Sequence, residues 1–485
     1  MLKSCVFIFS TIFCSTLLAT PWQDLQMLLP KGTQLSYVVV DAKQKTPITA
    51  FQEETLRTPA SIQKLLTATT AKLFLGNDFH YQTYIKGDKS KLTGGHYAGD
   101  VSLYFSGDPL LTRKHVRSML QKLKQQGINE IGGNFLLNDS RFNGYHWSSG
   151  QAWNDLGVCY TSPSNAIIIN KNCVLGNLSD AGENPEKARL FIPEYEPIEV
   201  TSDVAVVTKA ERKAQFCSLK VTRNSQNKYH LWGCMVPRKR PMAMAFAVND
   251  PGIYAARIIA NELNIADIKL QGEIIIDSTP EKMQDESQEE THLVSHQSVS
   301  LDTLLSIMMK ESDNLIADSL FKTIGAHYFN QPGNFDNSAK AMKAILKEHG
   351  MDLENAYIAD GSGLSRHNLM SSELFIKVMQ FVYDNDNTLG LIDSFAIAGV
   401  DGTLKYHRGV NTKQLKGKVI AKTGSLKGVA NLVGILKSKS GDKLFAMMVN
   451  GYQPTNSKTD ANIPRNPKAS IYLFEKAFFE KILNE

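Results

Sequence analysis

The sequence predicts a multidomain α/β (α+β) chain in which an antiparallel sheet flanked by helices is assembled from both ends, with a large two-part insertion between them. Three observations carry this. Alternating apolar segments suited to strands lie near the start, at 35–41 and 47–51 around a turn at 42–45, and again near the end, at 431–436 and 444–449. Between them, strand-helix-strand patterns at 100–105, 113–125 and 131–138, then at 243–248, 253–263 and 268–277, flank an irregular block containing cysteines. The 485 residues, 42% hydrophobic and 21% charged, are enough for two to four globular domains with substantial cores.

Taken in order, residues 1–20 carry Lys3, an apolar run to Leu18 and the small residue Ala19 before Pro21, which reads as a secretory leader. The apolar run is short for a membrane span, and Phe13 before Cys14 is too large for a lipoprotein signal, so no integral membrane anchor is expected. Cys5 and Cys14 leave with that leader. Cys159, Cys173, Cys217 and Cys234 remain, an even count suited to two disulfides in an oxidising compartment. Three connectivities are open, and the local one (159 with 173, 217 with 234) is the expectation, against four buried thiols. A zinc site lacks a Cys-x-x-Cys or a nearby His pair. The net charge of +5 comes without a long basic run, which argues against a nucleic-acid partner.

An Ala- and Thr-rich amphipathic helix is expected to follow Pro59 and to end near Gly76. The acidic stretch 277–290 reads as a solvated linker, and apolar residues at helical spacing over 471–483 predict a helix packed on the sheet, with Leu473, Phe479 and Leu483 widening its face. The expected division is a leader (1–20), a first sheet segment (21–85), an inserted α/β unit (86–287) with a second nested at about 141–242, and a second sheet segment (288–485).

In Ser61-Ile62-Gln63-Lys64 a helix would place an amine one turn from a hydroxyl. Serine is a poor nucleophile without a base, and a lysine with its pKa lowered by burial beside another cation can serve as one. The helix N-terminus adds N–H groups where an oxyanion would form. The same spacing recurs at Ser225/Lys228, Ser319/Lys322 and Ser440/Lys443, so one copy says little. Its company says more: Ser312-Asp313-Asn314 follows, then Lys422-Thr423-Gly424-Ser425. That order resembles the penicillin-recognising serine hydrolases, and the separation of 251 residues from Ser61 to Ser312 marks an insertion.

Together with Ser106-Gly107-Asp108-Pro109, Trp153-Asn154-Asp155, the run from Asp360 to Asn368, and Asp401-Gly402-Thr403-Leu404, these motifs make the chain similar, over nearly its whole mature length, to the penicillin-binding protein 4 family. These are the class C low-molecular-mass D-alanyl-D-alanine carboxypeptidase/endopeptidases. The resemblance implies a transpeptidase-like domain with two inserted domains, no cofactor, periplasmic residence, hydrolysis of peptidoglycan peptides at D-Ala-D-Ala and D-Ala-diaminopimelate bonds, and acylation by β-lactam antibiotics. It leaves the oligomeric state open, a homodimer included.

By the same resemblance Ser61 attacks the D-Ala carbonyl and Lys64 takes its proton. Ser312 relays a proton to the leaving amine, Asn314 binds the substrate backbone, and Lys422 supplies positive potential. Thr423, beside Gly424, holds the terminal carboxylate, and the N–H groups of Ser61 and Ser425 form the oxyanion hole. Asp155 reaches back to the amine of diaminopimelate, with Tyr160 and Arg366 nearby. Lys427 departs from the glutamine of near relatives and adds a second cation there. A β-lactamase or esterase would share the motifs, and a non-catalytic wall-binding protein would not need them. His292 and His296 have no glutamate between them for a metalloprotease pattern, Asp360 and Asp401 suit loops in which they bond to their glycines, and Gly-x-Ser-x-Gly is absent.

Overall fold

The computed structural model describes residues 22–180, 186–280, 292–453 and 467–484. The leader and most of the acidic stretch at 277–290 lie outside the described residues. Six strands form one antiparallel sheet: β1 (Gln34–Asp41), β2 (Pro47–Phe51), β3 (Ala396–Ile397), β4 (Val419–Leu426), β5 (Val429–Leu436) and β6 (Lys443–Asn450), in the spatial order β2-β1-β6-β5-β4-β3. β1 and β6, from opposite ends of the chain, pair in unbroken register from Gln34 opposite Asn450 to Asp41 opposite Lys443.

Both faces of this sheet are covered, so the central strands are largely apolar, and the period of two sends neighbours to different cores. Val38, Val40, Leu444, Ala446 and Met448 meet the helices α1 (Lys64–Phe74), α2 (Leu301–Lys310), α3 (Asn314–Phe329), α4 (Phe335–Glu348) and α5 (Ser372–Leu389). Tyr37, Val39, Phe445, Met447 and Val449 meet α6 (Pro467–Asn484) on the other side, where Ile471, Phe474, Phe478, Phe479 and Ile482 are buried. Fully burying each such side chain contributes about 1.5–3 kcal/mol. Leu473 stays 44% exposed, so the apolar face of α6 is narrower than expected.

α1 is not amphipathic. Residues 64–72 are buried all round, and two of its threonine hydroxyls bond within the helix: Thr69 donates to the Leu65 carbonyl (2.8 Å) and Thr70 to that of Leu66 (2.7 Å).

The insertion builds a second sheet, ordered 274–277, 135–138, 101–104, 82–86 and 292–297, whose first three strands run parallel. Strands Gln82–Lys86 and His292–Gln297 hydrogen-bond into it, so the change of sheet falls outside the expected limits at 86 and 287. Helices Arg113–Gln125, capped by Thr112, and Pro251–Ile265, capped by Asp250 with Pro251 in its first turn, supply its core. The expected strands at 131–138 and 268–277 are each split in two, around Gly132-Gly133 and Gln271-Gly272.

The segment expected as a strand at 243–248 belongs elsewhere. Met242–Ala247 pairs with Cys173–Ser179 in a three-stranded sheet, and Glu199–Ser202, Lys228–Trp232 and Lys220–Arg223 form another. These pack around a small core of Leu178, Val204, Tyr229, Leu231, Met235 and Phe246. The cysteines are joined locally, Cys159 to Cys173 and Cys217 to Cys234. His292 and His296 share a strand rather than a helix; His292 stacks on Tyr84 (3.9 Å between centroids) and His296 on His115 (4.4 Å). Among the described residues no helix is long and apolar enough to cross a membrane.

Candidate active site

Pro59 does not open the α-helix directly. Ala60, with φ of +51°, begins a 3₁₀ turn Ala60–Gln63, and α1 starts at Lys64. In a 3₁₀ turn residues three apart eclipse one another, which stacks Ser61 on Lys64 with Nζ 2.9 Å from Oγ. The left-handed Ala60 is a local strain held in place by its surroundings. The loop at Gly363 (φ +81°) presses on it so closely that a Cβ there would lie 2.0 Å from the Ala60 carbonyl oxygen.

Lys64 is fully buried. Besides Ser61 it reaches the Asn314 side-chain oxygen (2.7 Å) and the Ser362 carbonyl (2.6 Å). A neutral amine has two N–H groups and one lone pair. With two acceptors taking both hydrogens, the lone pair is left facing Ser61. Burial pulls the Lys64 pKa down to about 8, against the opposing pull of Asp318, Asp360 and Asp313.

Asn314 is aimed by the helix it begins. Asp313 caps α3 by accepting from the Ile316 N–H (3.0 Å), its other oxygen takes Lys171 of the insertion (2.6 Å), and the Asn314 amide donates to the Tyr160 carbonyl (2.8 Å). Ser312, left-handed at φ +60°, faces the second lysine: Lys422 Nζ donates to its Oγ (2.9 Å) and to the Thr423 carbonyl (2.8 Å). Burial, and then repulsion from Lys64, holds the Lys422 pKa well below the ordinary lysine value. Thr423 donates to the Thr403 hydroxyl (2.9 Å).

Gly424 lets β4 pass against the Ser61 turn. A Cβ there would sit 2.7 Å from the Pro59 oxygen and 2.9 Å from the Ile62 nitrogen.

Beyond Ser425 the cleft continues into a cavity of about 300 Å³ lined by Asp155, Tyr160, Arg366, Ser425 and Lys427. The insertion thus brings Asp155 and Tyr160 to the rim of the strand that carries Lys422. Burial, and then a hydrogen bond to Asp155, pushes the Tyr160 pKa up to about 12. Arg366 is held by its side chain on the Lys427 carbonyl (3.1 Å) and by its N–H on that of Gly150 (3.0 Å).

Asp360 acts more widely than expected. It accepts from the N–H groups of Gly363 (2.8 Å) and Ser365 (2.7 Å), the Asn368 amide (2.8 Å) and the Ser148 hydroxyl of the insertion (2.8 Å). Among the described residues Asp401 bonds to no glycine; it accepts from the Ile397 N–H (2.8 Å) and from Lys310 (2.7 Å). Asp318, the Ser362 carbonyl and Thr403 were not singled out from sequence. A readable signal existed for the first: Asn314, Asp318 and Lys322 are polar at four-residue spacing on a helix whose neighbours are apolar.

A serine facing a depressed lysine at the head of a buried helix, with a second serine-lysine pair across an antiparallel sheet, defines the penicillin-recognising serine hydrolases. Comparison with known proteins narrows this. Residues 23–470 match the D-Ala-D-Ala carboxypeptidase 3 (S13) family, and the chain belongs to that family. It is 36% identical to the D-alanyl-D-alanine carboxypeptidase DacB of Haemophilus influenzae over 461 residues, 95% of this chain and 93% of that one. The crystal structure of penicillin-binding protein 4 (DacB) from H. influenzae superposes with a TM-score of 0.87 at 35% identity, covering 96% of this chain and 99% of that one. The same protein complexed with a β-lactam superposes at 0.82 with 33% identity, again over 96% and 99%. The protein is a serine D-Ala-D-Ala carboxypeptidase.

Proposed function

We propose that this carboxypeptidase acts on peptidoglycan peptides, removing terminal D-Ala and also cleaving D-Ala-diaminopimelate cross-links as an endopeptidase, and that β-lactams acylate it. The observation that carries this reading is the Lys64 amine, 2.9 Å from Ser61 with two acceptors occupying its other contacts. Ser61 attacks the D-Ala carbonyl carbon while its proton passes to neutral Lys64. The negative charge developing on the carbonyl oxygen falls to the N–H groups of Ser61 and Ser425, a kind of preorganised contact worth about 2.7–4 kcal/mol per donor in acyl transfer.

Ser312, hydrogen-bonded to Lys422, relays a proton to the leaving nitrogen, and water then releases the acyl group. Asn314 takes the substrate backbone, Lys422 and Thr423 the terminal carboxylate, with Gly424 leaving room for it. Asp155 takes the free amine of the diaminopimelate side chain, with Tyr160 and Arg366 shaping the pocket and Lys427 favouring an anionic group beside it.

In this reading the chain is a periplasmic enzyme with a leader at 1–20, a catalytic unit made from both ends, and an inserted α/β unit carrying a smaller one. The test is incubation of purified protein with D-Ala-D-Ala pentapeptides and cross-linked muropeptides. Free D-Ala and resolved cross-links are expected, both abolished by penicillin. Release of D-Ala with cross-links untouched would remove the endopeptidase half, and no product from either would remove the reading.

A further inference from the structure

The floor of the site holds a carboxyl group that the mechanism above does not use. Asp318 lies one turn after Asn314 on the same face of α3 and is 5% exposed. One of its oxygens accepts the Gly361 N–H (3.0 Å), and the nearby Ser362 hydroxyl favours its charged form. These are the two residues whose carbonyls meet α1: the Gly361 carbonyl accepts from Thr67 (2.7 Å) and that of Ser362 from Lys64 (2.6 Å). The next residue, Gly363, is the one pressed on Ala60. Asp318 therefore anchors from beneath the loop that orients both members of the Ser61-Lys64 pair.

We propose that Asp318 is a positioning residue for acylation: it fixes the Ser362 carbonyl that steers the Lys64 amine, and its carboxylate offsets the ammonium that forms there. As Oγ of Ser61 bonds to the carbonyl carbon, its proton moves to Lys64 Nζ, and a cation appears in a dry site already occupied by Lys422. An uncompensated buried charge is costly, and a nearby opposite charge relieves it.

Of the groups around Lys64, Asp318 exerts the leading electrostatic pull, ahead of Asp360 and Asp313. The charged groups facing Asp318 itself are Lys64 on α1, Asp360 on the loop and Lys322 one turn further along α3. Burial and then Asp360 raise its own pKa to about 7, close to that of Lys64, so the two titrate as a pair.

This inference rests on the acyl-enzyme reading. The experiment follows the acylation rate constant with a fluorescent penicillin from pH 5.5 to 10 for wild type, Asp318→Asn and Ser362→Ala, with Tm for each. Asparagine keeps an acceptor for the Gly361 N–H and loses the charge. Removing an anion beside Lys64 disfavours its ammonium, so the rising limb of the pH profile should move to lower pH by about one unit. The limiting rate should fall on the order of tenfold to a hundredfold, as the base weakens. Ser362→Ala, which removes a hydroxyl that favours the Asp318 charge, should move the limb the same way by less.

A limb that stays in place in Asp318→Asn, with or without a slower rate, overturns the proposal and leaves Asp318 a structural strut. If the asparagine variant does not fold, the limb of Ser362→Ala decides in the same way. A wild-type enzyme that penicillin does not acylate refutes the acyl-enzyme reading instead.

Discussion

Replacing Gly424 by alanine adds one methyl group where β4 crosses the Ser61 turn. The glycine is not left-handed, so the effect is steric. The new Cβ would lie 2.7 Å from the Pro59 oxygen, 2.9 Å from the Ile62 nitrogen and 3.1 Å from the Ile62 Cγ2. Two of these neighbours are backbone, on a turn itself pinned by Gly363 and by Asn431, whose amide donates to the Pro59 carbonyl (2.7 Å). Reaching an ordinary contact needs roughly 0.7 Å of separation, and overpacking of this kind costs about 1–3 kcal/mol.

The displaced groups are Ser61 on one side and Lys422-Thr423 on the other, so the misalignment falls within the reacting geometry, where about 1 Å costs on the order of 100-fold. Thermal denaturation should report a modest loss and the fluorescent-penicillin acylation rate a loss of about tenfold to a hundredfold. Acylation within a factor of two of wild type, alongside a lowered Tm, would refute the claim that this close approach sets the catalytic geometry.

Ser61→Ala should abolish covalent penicillin labelling with little change in Tm, because one hydroxyl is lost from a half-buried side chain on an otherwise buried turn; a labelled Ser61→Ala protein would sink the nucleophile assignment. Asp155→Ala should lower kcat/KM for peptides with a free diaminopimelyl amine by the equivalent of about 2–5 kcal/mol and barely change it for analogues lacking that amine; equal losses would mean that Asp155 acts on the fold. Each disulfide closes a short loop, with sequence separations of 14 and 17, and should contribute about 3 kcal/mol. Paired Cys→Ser substitution at 159 and 173, next to Tyr160, should also impair peptide hydrolysis, while that at 217 and 234 should lower Tm alone, and the reverse pattern would contradict the placement.

His327 accepts from Arg141 (2.6 Å) and is held neutral, its pKa lowered to about 4 by burial and then by Arg141. A depressed folded value means stability present above the unfolded value near 6.5 and lost as pH falls toward 4. His327→Gln should flatten the slope of Tm against pH in that window, and an unchanged slope would show that other groups set it.

Much of the site was legible because its residues cluster in short motifs. Ser61 with Lys64, Ser312 with Asn314, and Lys422 with Ser425 each fall within four residues of one another, where the local backbone aims both members. Asp155 and Tyr160 could be assigned only through family likeness, since no periodicity tells a segment that it folds back onto a strand more than 200 residues later. The 3₁₀ turn before α1 was misread as helix because a proline is compatible with either, and the left-handed Ala60 that separates them is set by Gly363 from a remote loop. The insertion was visible as a spacing, and its helices as parts of strand-helix-strand patterns. Its limits were blurred because strands 82–86 and 292–297 are apolar enough for either sheet; hydrogen-bond partners, which no strand pattern names, decide the matter.

The pairing of β1 with β6 fixes when the enzyme can become active. Residues 34–41 are made first and find one neighbour at once in 47–51, yet the neighbour on their other side arrives only with 443–450. The insertion, whose contacts are mostly its own, can settle meanwhile. Ser61 and Lys64 must wait for Ser312 and then for Lys422 before the second cation and its partner serine stand opposite them. Closing so long a loop is slow, and a truncated chain that lacks 443–450 carries Ser61 and Lys64 without a closed central sheet beside them.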